Sequence, residues 1–398
     1  MPPLQTSLTK HEQSFFGICQ GQNKRTGGEF MTKGPLAGIQ IIEMAGIGPG
    51  PFACMLLADL GAEVVRITRP GTQDPLNQDV LLRGRINLPL NLKSDEGLAV
   101  CRKLISSADG LVEGFRPGVM ERLGLGPDRC LEDNAKLVYG RMTGWGQDGP
   151  LAQAAGHDIN YIALSGALAA MGTADSPSIP LNLVGDFGGG ALYLAMGLCA
   201  GLLHAAKTGE GQVVDAAMTD GAASLMAMFY GLYGRGEWSL QRGQNMLDGG
   251  HPYYAVYKTK DEKFVAIGAI EKNFYDELIM RLGLDPRDFD RGEAGLSKEA
   301  QKRAFEDVFS RKTQAEWCAI LEGSDACFAP VLDMSEAPYH PQNQHRQSFV
   351  KHEGAWHPNV APKFGTTPGE VGVERRKPTD LLRAMGLEDK EIRPIFKD

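Results

Sequence analysis

Along the first half of the chain, short β-branched runs alternate with stretches of helical spacing. Ile39-Gln40-Ile41-Ile42-Glu43-Met44 has the length and composition of a buried strand. The glycine-rich turn Gly46-Ile47-Gly48-Pro49-Gly50-Pro51 follows. Phe52 to Leu60 then places apolar residues at helical spacing and stops at Gly61. Glu63-Val64-Val65-Arg66-Ile67 predicts a second strand, which completes a βαβ unit. The pattern repeats. Ser94, with Asp95 and Glu96 in the first turn, opens an amphipathic helix to about Ser107. Gly110 to Glu113, Lys136 to Gly140 and Gln212 to Ala216 predict further strands. Ile162 to Met171 predicts an apolar helix, and Phe187 to Ala206 a longer one. That longer stretch carries five glycines and ends in His204 and Lys207, so it is read as a packed core helix, not a membrane span. Alternating strands and helices imply an α/β fold, with a mostly parallel sheet covered on both faces.

The composition changes at Tyr233 to Gly250, where glycines and polar residues predict a linker over 233–250. Residues 31–232 before it make the large domain. After it, Tyr253 to Lys258 and Lys263 to Gly268 read as two strands of a smaller α+β domain, 251–341. One of its helices opens with the capping box Thr313-Gln314-Ala315-Glu316. The proline-containing tail, 342–398, is expected to return to the large domain. Residues 1–30 are polar and lack a sustained apolar run, so they are read as a leader or added extension without a secretory core.

With 398 residues there is room for two domains and a sizeable core. The formal net charge of −8 argues against a nucleic-acid surface. Seven cysteines, without a C-x-x-C pair and mostly in apolar stretches, read as buried thiols in a reducing compartment. His340, His345, His352 and His357 fit no metal-ligand spacing and are assigned to a surface loop.

The chemistry candidates sit mostly at strand ends. The Gly46–Pro51 loop departs from the G-x-G-x-x-G spacing, and the second strand ends in Arg66, Thr68 and Arg69 where a nicotinamide site would carry an acid. The loop is either a tight strand–helix turn or a phosphate-facing one. Arg85, Arg116, Arg122 and Arg141, with Lys93, recur at predicted strand ends and in following loops. A cluster there would suit a ligand with several phosphates. His157 stands beside Asp158 at a helix start and is either structural or an acid/base group. Asp186 is either an N-cap or a catalytic carboxylate, and Glu271 either a first-turn helix acid or part of a site.

Six segments together carry a resemblance. They are Gly46 to Pro51, Arg141 to Gln147, Gly156 to Tyr161, Pro180 to Phe187, Gly243 to Gly250 and Ala266 to Glu271. From about Pro35 to Val331 the chain resembles the α-methylacyl-CoA racemases of the family III CoA-transferase superfamily. The resemblance implies a Rossmann-like large domain, a small domain, and a homodimer interlocked like chain links. It places the active site between the large domain of one subunit and the small domain of the other. It makes His157 and Asp186 the two acid/base residues, with Glu271 supporting His157. Coenzyme A contacts fall on Arg69, on Leu90, Asn91, Leu92 and Lys93, on Gly114, Phe115 and Arg116, on Arg122, and on Gly156, Asp158, Ile159, Asn160 and Tyr161. The implied reaction interconverts (R)- and (S)-2-methylacyl-CoA thioesters in lipid metabolism.

Such chemistry explains the residue types. The proton α to a thioester is weakly acidic, so its removal needs a base and a stabilised enolate oxygen. Backbone N–H groups near Asp158 are candidates for that oxygen. Inversion needs a second group to return a proton from the opposite face, and neither step calls for a metal or redox cofactor. The rival reading is a CoA-transferase, in which Asp158 attacks as the carboxylate nucleophile. His251 stands where the family usually has a small residue, and could either narrow the acyl pocket or face solvent. The chain end, Phe396-Lys397-Asp398, is unlike a peroxisomal S-K-L signal, and a cytoplasmic protein is expected.

Overall fold

The structure is a computed structural model that describes residues 33–72, 79–291, 295–373 and 375–396. The expected extension at 1–30 lies outside them.

Six parallel strands form the main sheet: β1 (Gln40–Met44), β2 (Glu63–Thr68), β3 (Arg85–Pro89), β4 (Gly110–Glu113), β5 (Val138–Thr143) and β6 (Gln212–Ala217). Their spatial order is β3-β2-β1-β4-β5-β6. The chain thus moves outward in one direction from β1, returns, and continues from β4 in the other. That reversal opens a crevice at the carboxyl ends of β1 and β4, the usual ligand position in such sheets.

Helices cover both faces, as the continuous apolar strands require. Below, α1 is Pro49–Asp59 and α2 is Asp95–Ser107. Ile42, Val65 and Leu111 face α2, where Cys101, Leu104 and Ile105 are fully enclosed. Ile41, Val64 and Val112 face α1 and the long apolar helix. The Ser94 hydroxyl accepts from the Gly97 N–H at 3.1 Å, so the predicted cap of α2 forms.

Two predicted helices differ from expectation. The stretch 162–171 is not continuous: α3 (Asp158–Leu164) starts four residues earlier, and Gly166, at φ 85°, breaks the chain before α4 (Ala167–Ala170). The long apolar helix begins with a π-helical segment, Leu183–Ala191, before α5 (Leu192–Thr208). Asp186 therefore lies inside a widened turn and is not an N-cap. Leu194 and Leu198 of α5 are buried on the sheet, whereas Leu192, Met196 and Leu203 are exposed. Hence the expected core helix is buried along one face only.

The smaller sheet is antiparallel and runs β7 (Tyr254–Lys258), β8 (Phe264–Gly268), β9 (Phe328–Val331). It packs with α6 (Lys272–Leu282), α7 (Lys298–Phe309) and α8 (Gln314–Leu321) around Tyr257, Phe305, Phe309 and Trp317. The capping box of α8 is present: Thr313 N–H donates to Glu316 at 2.7 Å, and Glu316 N–H donates to Thr313 Oγ1 at 3.3 Å. The tail comes back to the main sheet. Arg375 donates to the Ala58 carbonyl, and Leu381 and Leu382 of α9 (Pro378–Ala384) join the α2-side core.

Candidate active site

A cleft of about 500 Å³ occupies the crevice. Its floor comes from strand ends: Met44 at the end of β1, Val112 and Gly114 around β4, and Met142 to Gly144 at the end of β5. His157 and Asp186 both line it, brought in by two different segments.

Asp186 is held from three sides. Its own N–H donates to Asp158 Oδ2 at 2.7 Å, and its Oδ2 accepts from Asn182 Nδ2 at 3.3 Å. The neighbouring Phe187 ring packs on Phe52 of α1, with centroids 4.4 Å apart. The third contact is Gly48, at φ 68° and ψ −118°, where a β-carbon would stand 3.2 Å from Asp186 Oδ2. A glycine is needed there for both the dihedral and the approach. A π-helical turn is rare and is found mostly at functional positions. Here it swings one carboxylate towards the loop after β1. Burial raises the Asp186 carboxyl above the usual carboxylate range. The Asn182 hydrogen bond opposes that rise, the Asp158 charge adds to it, and the His157 charge opposes it.

His157 is exposed at the cleft and precedes α3. Its N–H donates to Asn160 Oδ1 at 3.0 Å, which fixes the entry into the helix. Tyr161 braces the loop by donating its hydroxyl to the Gly156 carbonyl and stacking edge-on to Trp145 at 4.8 Å. Its ring comes so close to Gly144 that a β-carbon there would lie 2.1 Å from it. Asp158, one residue from His157, turns the other way. It is only 6% exposed, and its Oδ1 has no hydrogen-bond partner.

The arginines divide into two groups. Arg85 and Arg141 are buried and serve the scaffold, contrary to the reading that grouped them with a phosphate ligand. Arg85 Nε pairs with Glu43 at 2.9 Å. Arg141 pairs with Glu113 at 2.9 Å and Glu121 at 2.8 Å. A buried guanidinium is stable only with such partners, and each strand position here faces an acid on a neighbouring element. Arg66 is likewise buried, 3.9 Å from Glu43. These pairs still act on the site at one remove, because Glu113 Oε2 accepts the Phe115 N–H at 2.8 Å and orients the loop after β4. Arg69, Arg116 and Arg122 are exposed, as is Lys93.

Of the residues singled out from sequence, the cleft gathers His157, Asp186, Gly114, Phe115, Arg116, Gly156 and Tyr161. Arg69 and the segment Leu90, Asn91, Leu92 and Lys93 lie beyond it, just after β2 and β3 on the same carboxyl edge; Leu90 itself is buried. Arg122, Ile159 and Asn160 are exposed outside the cleft lining. Glu271 is on the smaller lobe, exposed just ahead of α6, where its charge adds to the rise that burial gives the Cys327 thiol; it does not line the cleft. His251 does not line it either, and sits 3.1 Å from Lys298 Nζ. Sequence reasoning missed the contact of Gly48 with Asp186, although the glycine loop had been singled out. It also missed Trp145 and Met142, whose signal was the Arg141–Gln147 motif. His357 is buried, not on a surface loop, and Cys327 is exposed, not buried. Among the described residues, no group of His, Cys, Asp and Glu side chains is arranged to hold a metal ion.

The fold is a doubly wound parallel sheet of the Rossmann-like class, with a histidine and a half-buried carboxylate at its switch point. The chain belongs to CoA-transferase family III, whose model matches residues 36–380. It is 43% identical over 371 residues to the α-methylacyl-CoA racemase of Mus musculus, covering 91% of this chain and 96% of that one. The Homo sapiens α-methylacyl-CoA racemase is 42% identical over 370 residues, with the same coverage. Among solved structures, a CAIB/BAIF family protein from Brucella suis superposes with a TM-score of 0.73 at 23% identity. That match covers 89% of this chain and 99% of the other, and supports the fold.

Proposed function

We propose that this protein is a racemase that interconverts (R)- and (S)-2-methylacyl-CoA thioesters. The observation that carries the reading is the convergence of His157 and Asp186 on one cleft, in a chain alike over nearly its whole length to named racemases. One group takes the proton from the α-carbon, and the C–H electron pair moves into the enolate. The other returns a proton to the opposite face. The raised pKa of the Asp186 carboxyl suits it to both roles, since a carboxylate far below neutrality would be a poor base. The backbone N–H groups near Asp158 are the candidates for holding the enolate oxygen. The transfer is redox-neutral, and coenzyme A enters as part of the substrate.

Arg116 at the cleft, with the exposed Arg69, Lys93 and Arg122, would take the phosphates of coenzyme A. Glu271 would reach His157 from a second copy of the chain, which makes the working unit a homodimer. The exposed apolar residues Leu192, Met196 and Leu203 of α5 support that reading. Mixing His157→Ala and Glu271→Gln protomers should then restore activity, because each mixed dimer holds one intact site.

The transferase reading fares worse on one feature. A carboxylate nucleophile must present itself to the thioester carbonyl. Asp158 is buried, and one of its oxygens accepts the Asp186 N–H. The decisive test is NMR of an (S)-2-methylacyl-CoA in deuterated water, with wild type beside His157→Ala and Asp186→Ala. Loss of the α-proton signal and growth of the other epimer, abolished by either substitution, is expected. Transfer of coenzyme A to an added carboxylate, with release of the free 2-methyl acid and no α-proton exchange, dependent on Asp158, would overturn the assignment.

A further inference from the structure

At the opposite end of the sheet, by the start of β3, a cavity of about 570 Å³ lies between residues 83–87 and the returning tail. Arg83, Arg85, Arg375, Arg376 and Lys377 line it together with His352 and His357. Three of these cations are neutralised: Arg83 by Asp59, Arg85 by Glu43 and Arg376 by Glu63. Arg375 and Lys377 have no ion pair among the described residues, and Asp79 and Glu353 also line the cavity.

Arg375 uses Nη2 on the Ala58 carbonyl at 2.9 Å. Its Nε and Nη1 are buried without a hydrogen-bond partner. His357 is only 8% exposed, and its Nδ1 is likewise buried and unpartnered. Its ring centroid is 5.3 Å from that of His352. Among the described residues the lining acids do not hydrogen-bond these atoms, and Asp79 accepts instead from the Leu81 N–H.

Tail anchoring accounts for Arg376 on Glu63, Arg375 on Ala58 and the Arg83 bond to the Pro358 carbonyl. It leaves the remaining Arg375 donors and the His357 nitrogen unexplained. Buried polar groups in folded proteins are almost always satisfied, by protein, water or ligand. Unmet N–H donors on a charged guanidinium are among the costlier exceptions.

We propose that this cavity is a second anion site, separate from the cleft, which takes a phosphate group on Arg375, His357 and Lys377. The oxyanion accepts from the free Arg375 N–H groups and from His357, and Lys377 adds charge at the mouth. Burial lowers the pKa of Arg375 and of His357; the charge of Asp59 opposes this at both groups, helped by Glu63 at Arg375 and by Glu353 at His357. Inorganic phosphate and a phosphate monoester offer the same oxygens.

The test is calorimetric titration of the full chain with inorganic phosphate and, separately, with adenosine monophosphate, at constant ionic strength. One saturable site is expected in the cavity, besides any phosphate or nucleotide held in the cleft. Arg375→Gln and His357→Gln should each weaken it at least tenfold, and Arg116→Ala in the cleft should leave it unchanged. Tighter binding of the nucleotide identifies a monoester as the ligand; equal or weaker binding identifies the free anion. Should Arg375→Gln fail to fold, the exposed Lys377→Gln, expected to weaken binding severalfold, decides the matter. Absence of saturable binding at millimolar phosphate would overturn the proposal, as would binding lost in Arg116→Ala but kept in Lys377→Gln and His357→Gln.

Discussion

Replacing Gly48 by alanine tests whether the loop after β1 positions the Asp186 carboxylate. The dihedrals at Gly48, φ 68° and ψ −118°, lie outside the regions open to L-residues. Holding alanine there costs about 1–3 kcal/mol. The new β-carbon would also stand 3.2 Å from Asp186 Oδ2, closer than ordinary van der Waals contact, so loop or carboxylate must give way by a few tenths of an ångström. A displacement of about 1 Å at a reacting group costs roughly a hundredfold in rate. The expected result is a kcat lower by about tenfold or more, with KM moved less, and a melting temperature a few degrees lower. Deuterium exchange at the α-carbon and circular-dichroism melting read the two effects separately. Gly50, two residues on, is the stability control: it has a helical position and nothing within 4 Å of an added β-carbon. A Gly48→Ala protein with wild-type kcat, or one melting no lower than Gly50→Ala, would refute the positioning argument.

Three further outcomes are expected. In the direction where Asp186 removes the proton, kcat/KM falls as pH drops through its pKa. Asn182→Ala removes a hydrogen bond that favours the carboxylate, so the acid limb of the pH profile should move to higher pH. Asp158→Asn removes a like charge and should move it to lower pH; limbs moving the other way would mean that these neighbours do not tune the group. Leu198→Ala, at a fully buried position of α5 against β5, should lower the urea-unfolding free energy by about 2–5 kcal/mol, and a loss under about 1 kcal/mol would show that the site collapses. Thr313→Ala should cost about 1 kcal/mol in the same measurement through the lost α8 cap, with α-proton exchange unchanged.

Local pattern was enough for much of this architecture. The β-branched runs, the Ser94 cap and the Thr313-to-Glu316 box are set by interactions within a few residues, and they form where their sequence places them. Strand–helix alternation implies a parallel sheet, because right-handed crossovers leave little alternative. The site's motifs were legible too, since His157, Asp186 and the loop after β1 stand in segments long enough to mark the family.

What the chain left open depends on distant partners. Nothing near Arg85 or Arg141 in sequence says that Glu43, Glu113 and Glu121 will neutralise them, so strand-end arginines look free until the sheet is assembled. The π-helical turn at Asp186 is a tertiary outcome: it joins α1 through Phe52 and α3 through Asp158, which helical periodicity alone cannot register. Asp158 and His157 are adjacent in sequence, yet only packing turns one inward and leaves the other at the cleft. The burial of His357 follows the same rule, for it requires the tail to lie against the start of β3. Short-range propensity is written in neighbouring residues, whereas burial and charge pairing are fixed only when segments far apart in the chain meet.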